Sequence, residues 1–139
     1  MRKRVIELTA DATLSKNQSG SLIVLNAAAG LVATLPTGGR GLNYEFIVRR
    51  KASSGTYTID AGSNSMEGSI LIASASGGAD SNRIFYTVDL SARVASMGGS
   101  SSGGMIGTNV KVVCDEDGVW HFSGIGIAEA APTTPFGAS

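Results

Sequence analysis

The sequence predicts an all-β, single-domain protein, built as an antiparallel β-sandwich or jelly-roll-like barrel with flexible termini. Its apolar runs are short, and Gly, Ser, Asn and Asp separate them at fairly regular intervals, as in folds made of short strands. The 19 glycines and 3 prolines favour frequent tight turns over long helices. The length of 139 residues suits one domain whose core needs neither disulfides nor metals.

The first half of the chain carries five predicted strands. They are residues 5–8, 21–26, 31–35, 43–49 and 56–60. In residues 21–26 apolar side chains fall on both sides of the strand, which predicts burial on both faces. Pro36 ends the third strand because proline cannot donate to a ladder. The Ser53-Ser54-Gly55 turn predicts that the last two strands pair as a hairpin.

The second half carries four predicted strands and one ambiguous stretch. The strands are residues 69–73, 83–88, 110–114 and 119–123, and the ambiguous stretch is 92–97. Asp117-Gly118 is the strongest short-range hairpin signal in the chain and predicts a turn joining the last two strands. The Gly- and Ser-rich residues 96–104 predict a flexible excursion.

The predicted domain spans residues 8–129. Residues 1–7 are expected to form an N-terminal arm, because they begin with Arg2-Lys3-Arg4. Residues 130–139 contain two prolines and no periodicity, which predicts an extended C-terminal tail. Both ends are expected to order only on contact with neighbouring subunits.

Charge is sparse and unevenly distributed. Charged residues make up 16% of the chain, against about 25% in an average soluble domain. The net charge is zero, which gives no indication of a nucleic-acid partner. Residues 1–51 hold eight bases and three acids, a net charge of +5, so residues 52–139 carry −5. This separation suits contacts between subunits through surfaces of opposite sign.

The compartment is predicted from three absences in the sequence. Cys114 is the only cysteine, so one chain can form no internal disulfide, which fits a reducing cytoplasm. The N-terminus lacks the apolar core of a secretory signal. No run approaches the roughly 20 apolar residues of a membrane span, so no membrane partner is expected.

Cys114 and His121 are the first candidates for chemistry. If Asp117-Gly118 is a two-residue turn, the two side chains lie opposite each other with Cβ atoms about 5 Å apart. A thiolate–imidazolium pair also needs an orienting group and an oxyanion hole in a cleft. A central hairpin offers neither, so both residues are interpreted as structural.

The remaining candidates also favour structural roles. The acidic turn at residues 115–117 lacks EF-hand spacing and is interpreted as a solvated turn. Binding of a cation by these residues is the alternative. The glycine-rich loops 37–41 and 98–104 carry no phosphate-binding motif. Trp120 is interpreted as a core residue. The basic triplets 2–4 and 49–51 lack the interleaved aromatic residues that single-stranded nucleic-acid binders use. The sequence therefore predicts no catalytic, metal-binding or cofactor-binding residue, and no enzyme.

Three segments resemble small bacteriophage virion proteins. They are Leu8-Thr9-Ala10-Asp11-Ala12-Thr13-Leu14, then Leu25-Asn26-Ala27-Ala28-Ala29-Gly30 with Thr34-Leu35-Pro36, and Gly41 to Val48. A C-terminal hairpin from Gly107-Thr108 through Trp120 to Gly126 extends the resemblance over most of residues 8–127.

The resemblance implies a β-sandwich-like module that docks on an assembled shell. The expected role is a decoration or cement protein on the capsid surface of the virion, made in the cytoplasm of the bacterial host. Its expected partners are the major capsid protein and further copies of itself, as a dimer or trimer. The alternative is a tail-fibre or receptor-binding module that recognises carbohydrate, since similar segments occur in tail and fibre proteins.

Overall fold

In the computed structural model, which describes residues 2–76, 81–116 and 118–138, two β-sheets pack face to face. Strands account for 53% of the chain, and the described residues contain no α-helix. None of the described segments is a helix long and apolar enough to cross a membrane. The predicted all-β sandwich is confirmed, whereas the barrel alternative is not, because the sheets do not close into a cylinder.

The strands are short at the start of the chain and long in its second half. Those in the described residues are β1 (Val5–Leu8), β2 (Ala12–Thr13), β3 (Leu22–Leu25), β4 (Leu31–Thr34), β5 (Asn43–Val48), β6 (Thr56–Asp60), β7 (Ser65–Ser74), β8 (Asn82–Ala92), β9 (Val94–Gly98), β10 (Asn109–Glu116), β11 (Val119–Ala128) and β12 (Phe136–Gly137). One 3-10 turn, Lys16–Gln18, precedes β3.

The sheets have seven and five strands. The larger sheet has the order β1-β3-β5-β10-β11-β7-β8, and the smaller has the order β12-β9-β6-β4-β2. The first six strands alternate between the sheets, so that β1, β3 and β5 run parallel in one and β2, β4 and β6 run parallel in the other. The predicted antiparallel pairing is therefore corrected to mixed pairing, because a chain that changes sheet after every strand returns in the same direction.

The predicted hairpin of residues 43–49 with 56–60 is wrong. β5 pairs with β3 and β10, whereas β6 pairs with β4 and β9 in the other sheet. Between them the chain crosses the sandwich at a corner that stacks on the preceding corner. There the Ser53 N–H donates to the Ala28 carbonyl at 2.8 Å. A Cβ on Gly55 would come within 2.2 Å of the Ala29 carbonyl oxygen.

The core between the sheets is rich in large apolar side chains. The five largest that are fully buried are Trp120, Tyr44, Tyr57, Phe46 and Phe122. The Tyr57 hydroxyl accepts a hydrogen bond from the Ala27 N–H at 2.8 Å and donates to the Arg50 carbonyl. Tyr44 donates to the Ser15 carbonyl at 2.6 Å, and burial raises the pKa of its phenol. The core tyrosines thus fix three loops to the sandwich.

Parts of both predicted terminal segments pair within the chain. Residues 5–8 form β1 alongside β3, and residues 136–137 form β12 alongside β9. The Phe136 ring meets Phe122 edge-on, with ring centroids 5.4 Å apart. These strands lie at one edge of the larger sheet and one edge of the smaller sheet, respectively.

Residues 96–104, predicted as a flexible excursion, form the end of β9 up to Gly98 and then a folded turn. The Gly98 N–H donates to Ser102 Oγ at 2.6 Å, and the Gly104 N–H donates to the Gly98 carbonyl at 2.8 Å. Gly103 and Gly104 are buried. A Cβ on Gly104 would meet the Met97 carbonyl oxygen at 2.6 Å, so glycine here serves close packing.

Candidate interaction surface

The hairpin predicted around residues 110–123 is confirmed, but the predicted register is not. β10 and β11 are antiparallel neighbours, and Glu116 pairs with Val119. A bulge between Cys114 and Glu116 then shifts the register, so that Cys114 pairs with Trp120 and His121 pairs with Val113. Asp117, the first residue of the predicted turn, lies outside the described residues.

The bulge separates the two residues that could have formed a nucleophilic pair. Cys114 is fully buried in the core, and its Sγ donates to the Glu116 carbonyl at 3.1 Å. His121 is exposed, because its neighbours Trp120 and Phe122 are the residues of β11 that point into the core. The two side chains therefore lie on opposite faces of the sheet and form no dyad.

The acidic turn is placed only in part. Asp115 and Glu116 are exposed, and Arg40 Nε donates to the Asp115 carbonyl at 3.2 Å. Asp117, the third acid of the predicted cluster 115–117, lies outside the described residues. In the part of the chain that the structure describes, no three His, Cys, Asp or Glu side chains are grouped so that they could hold a metal ion.

The basic triplets make contacts within the chain. Lys3 forms an ion pair with Glu45 at 2.7 Å, and Arg4 donates to the Asn17 carbonyl at 3.1 Å. The hydrogen bond from Lys3, followed by one from Asn109, holds the pKa of Glu45 below its usual value. Lys51 forms an ion pair with Glu129.

An exposed line of apolar side chains crosses the outer face of the larger sheet. Leu71 on β7 pairs with Ile84 on β8 and with Ile125 on β11. Their exposed fractions are 37%, 68% and 50%, respectively. Since neighbouring strands lie about 4.8 Å apart, the three side chains are adjacent, and we call them the apolar row.

Alternation along each strand turns the apolar row toward solvent. Ile70 and Ile72, on either side of Leu71, are fully buried in the core. Leu71 must therefore point outward. Tyr86 comes two residues after Ile84 on β8, so it lies on the same face, and it is 70% exposed. The apolar row thus continues toward an exposed aromatic ring.

A depression adjoins the apolar row on the side away from β8. It has a volume of about 340 Å³ and is lined by Asn109, Lys111, Ser123, Gly124 and Ile125. The small residues Ser123 and Gly124 leave room beside the Ile125 side chain. A Cβ on Gly124 would come within 2.4 Å of the Asn109 carbonyl oxygen, so close strand packing requires glycine at the floor.

The outer face of the smaller sheet is polar. Thr58 Oγ1 lies 3.1 Å from Ser96 Oγ and 3.1 Å from Thr56 Oγ1. On the neighbouring strand β4, the Val32 N–H donates to Asp11 Oδ1 at 2.8 Å. The sandwich therefore has one outer face with hydroxyl groups paired to each other and one outer face with the apolar row.

Sequence reasoning identified the strands of the apolar row but missed the row itself. The signal is present, since Ile70-Leu71-Ile72 and Ile84-Phe85-Tyr86 place apolar residues on both sides of their strands. Such runs predict a strand covered on both faces. Here only the inner face is covered by the described residues, and the outer one remains exposed.

Comparisons of the chain with protein families, with curated proteins and with solved structures found no match. The surface itself is therefore the basis for a functional argument. Its distinguishing features are the apolar row, the adjoining depression and the exposed Lys111.

Proposed function

We propose that this chain is a structural virion protein that binds the outer surface of an assembled phage capsid and stabilises it. The resemblance of residues 8–127 to small phage virion proteins supports the proposal. The apolar row supports it independently, because adjacent exposed apolar residues are a common feature of protein-binding surfaces. Among the structural observations, the apolar row carries the proposal.

The arrangement of reactive groups supports binding in preference to catalysis. Cys114 is enclosed in the core and His121 is on the opposite face, so neither assists the other. We therefore propose a non-enzymatic role that needs no cofactor. A protein that binds only the mature shell adds its binding free energy to the stability of that shell. Many copies on one lattice multiply the stabilisation.

The proposed location is the capsid surface of the virion, after synthesis in the host cytoplasm. The major capsid protein is the proposed partner, and a dimer or trimer is the proposed assembly of the chain. An oligomer would present several apolar rows to the lattice at once. Light scattering on the purified protein measures its assembly state directly.

Reconstitution on particles tests the function. Capsids are prepared from a phage in which the gene for this chain is deleted, and the purified chain is added back. We expect the chain to sediment with these capsids in hundreds of copies per particle. Restored capsids should rupture at a higher temperature than bare ones. Bare and restored capsids that rupture alike, or a chain that stays in the supernatant, would show that the cement role is wrong.

A carbohydrate-binding module of the tail is the second candidate, and one observation favours it. Tyr86 is 70% exposed and lines a cavity of about 410 Å³ together with Thr134 and Phe136. Exposed aromatic rings are suited to stacking on apolar faces of ligands. Binding of the chain to host cell-surface glycans, lost in Tyr86→Ala, would favour this candidate. A copy number of only a few per virion would also favour the carbohydrate-binding module.

A further inference from the structure

An exposed basic side chain lies beside the apolar row. Lys111 projects from β10, next to β11, on the outer face of the larger sheet. Arg83 on β8 lies on the opposite face, since it pairs with the buried Ile72, and its guanidinium lies over the Phe85 ring, 5.8 Å from the ring centroid. Within the described ranges, Lys111 forms no ion pair.

The nearest carboxylate does not neutralise Lys111. Glu45 lies opposite Lys111 in the strand register, but its Oε1 accepts from Lys3 at 2.7 Å and its Oε2 from Asn109 at 2.9 Å. Lys3 therefore compensates the charge of Glu45 most directly. The positive charge of Lys111 remains beside the depression that adjoins Ile125.

We propose that the apolar row and Lys111 together form the docking surface for the capsid, and that they bind an apolar protein surface bordered by carboxylates. The apolar row takes the apolar part of the partner. The depression takes a side chain whose carboxylate pairs with Lys111. This inference rests on the proposed function and names the chemistry of its partner.

A second copy of the chain is the alternative occupant of the apolar row. Light scattering that shows a wild-type dimer, lost in Leu71→Ser and Ile84→Ser, would overturn the assignment of this surface to the capsid.

Matched substitutions on the larger sheet test whether the apolar row contributes to capsid binding. Leu71→Ser and Ile84→Ser change the apolar row, whose members are 37% and 68% exposed. Val113→Ser and Val5→Ser are the controls, since these residues lie on the outer face of the same sheet and are 38% and 61% exposed. We expect the first pair to weaken sedimentation with capsids about tenfold each. The controls should bind within about twofold of wild type.

Charge reversal at Lys111 tests whether this lysine contributes to capsid binding. Lys111→Glu should weaken binding more than tenfold in dilute buffer, and its binding should depend less on salt than that of wild type. Lys16→Glu is the control, because Lys16 is an exposed base far along the chain in the 3-10 turn before β3. Circular dichroism and thermal melts establish that every variant is folded.

The outcomes separate the inference from the proposed function. If wild type binds capsids and the variants of the apolar row and Lys111 bind equally well, the docking surface is wrong and the cement role stands. Controls weakened as much as the row variants would also overturn this assignment. If wild type fails to bind capsids, both proposals are wrong.

Discussion

Gly68 and Phe122 lie so close on neighbouring parallel strands that a Cβ atom on Gly68 would come within 2.0 Å of the Phe122 carbonyl oxygen. Gly68 also has a φ of +131°, in the region that favours glycine. This contact joins β7 to β11 three residues before the Leu71–Ile125 pair of the apolar row. The larger sheet therefore depends on a glycine at this position.

Gly68→Ala should lower the free energy of unfolding by about 2–4 kcal/mol, from backbone strain and displacement of β11. Gly20→Ala is the matched control. Gly20 also has a positive φ, +85°, but a Cβ there would meet nothing within 4 Å. The control should lose only about 1–2 kcal/mol, the strain term alone. Urea denaturation measures both, and equal losses would rule out the close contact as the cause.

Tyr57→Phe should destabilise the fold by about 1–3 kcal/mol. The substitution leaves the buried Ala27 N–H without its acceptor and the Arg50 carbonyl without its donor. Tyr86→Phe removes the same atom from a ring that is 70% exposed and should change stability by less than about 0.5 kcal/mol. Thermal or urea unfolding of the two variants provides the comparison. A Tyr57→Phe protein as stable as wild type would contradict the proposed anchoring of the loops.

Cys114→Ser and His121→Ala should leave capsid binding unchanged. Cys114→Ser places a hydroxyl in the core, where it can donate a hydrogen bond to the Glu116 carbonyl, so we expect a loss of about 1–2 kcal/mol. His121→Ala, on an exposed residue, should cost less than about 0.5 kcal/mol. Sedimentation with capsids and urea unfolding measure the two effects. A folded double mutant that no longer binds would reassign these residues to function.

Glu45 should contribute a small pH dependence to stability. Its pKa is lower in the folded chain than in the unfolded chain, chiefly because Lys3 donates to it. The resulting stabilisation is present above the unfolded pKa of about 4.3 and is lost as pH falls through the lower folded pKa. For such a solvent-screened pair we expect about 0.5 kcal/mol or less.

Glu45→Gln tests this assignment. The variant should be slightly less stable than wild type at pH 7, and the difference should shrink as the pH falls, because Glu45 loses its charge as the pH passes through its lowered folded pKa. Glu67→Gln serves as a control carboxylate on the same sheet. Parallel stability curves for wild type and Glu45→Gln from pH 7 to pH 3 would contradict the expectation.

Strand content could be predicted from the sequence, whereas strand partners could not. β5 and β6 were both identified from their alternating residues, but alternation is the same for a strand in either sheet. Whether Ser53-Ser54-Gly55 closes a hairpin or crosses the sandwich depends on its packing against Ala28 and Ala29. Those residues belong to an earlier corner, and local sequence does not report that contact.

The register of paired strands also could not be predicted from local sequence. The hairpin of β10 and β11 was predicted from its turn signal, but one extra residue at Asp115 moved Cys114 away from His121. Bulges depend on the twist and packing of the whole sheet. The apolar row shows the same limitation, since Leu71 and its buried neighbours Ile70 and Ile72 are equally apolar. Only the tertiary fold distinguishes inside from outside.

The central position of β10 constrains the order in which the chain can fold. β10 lies between β5 and β11, so the larger sheet cannot be continuous until a strand from the second half pairs with β5. The 60 residues from 49 to 108 separate these neighbours. A nascent chain that has emerged only as far as β6 therefore carries β5 with an open edge. During synthesis this edge is a site for mispairing with other chains, and a chaperone would be most useful in that interval.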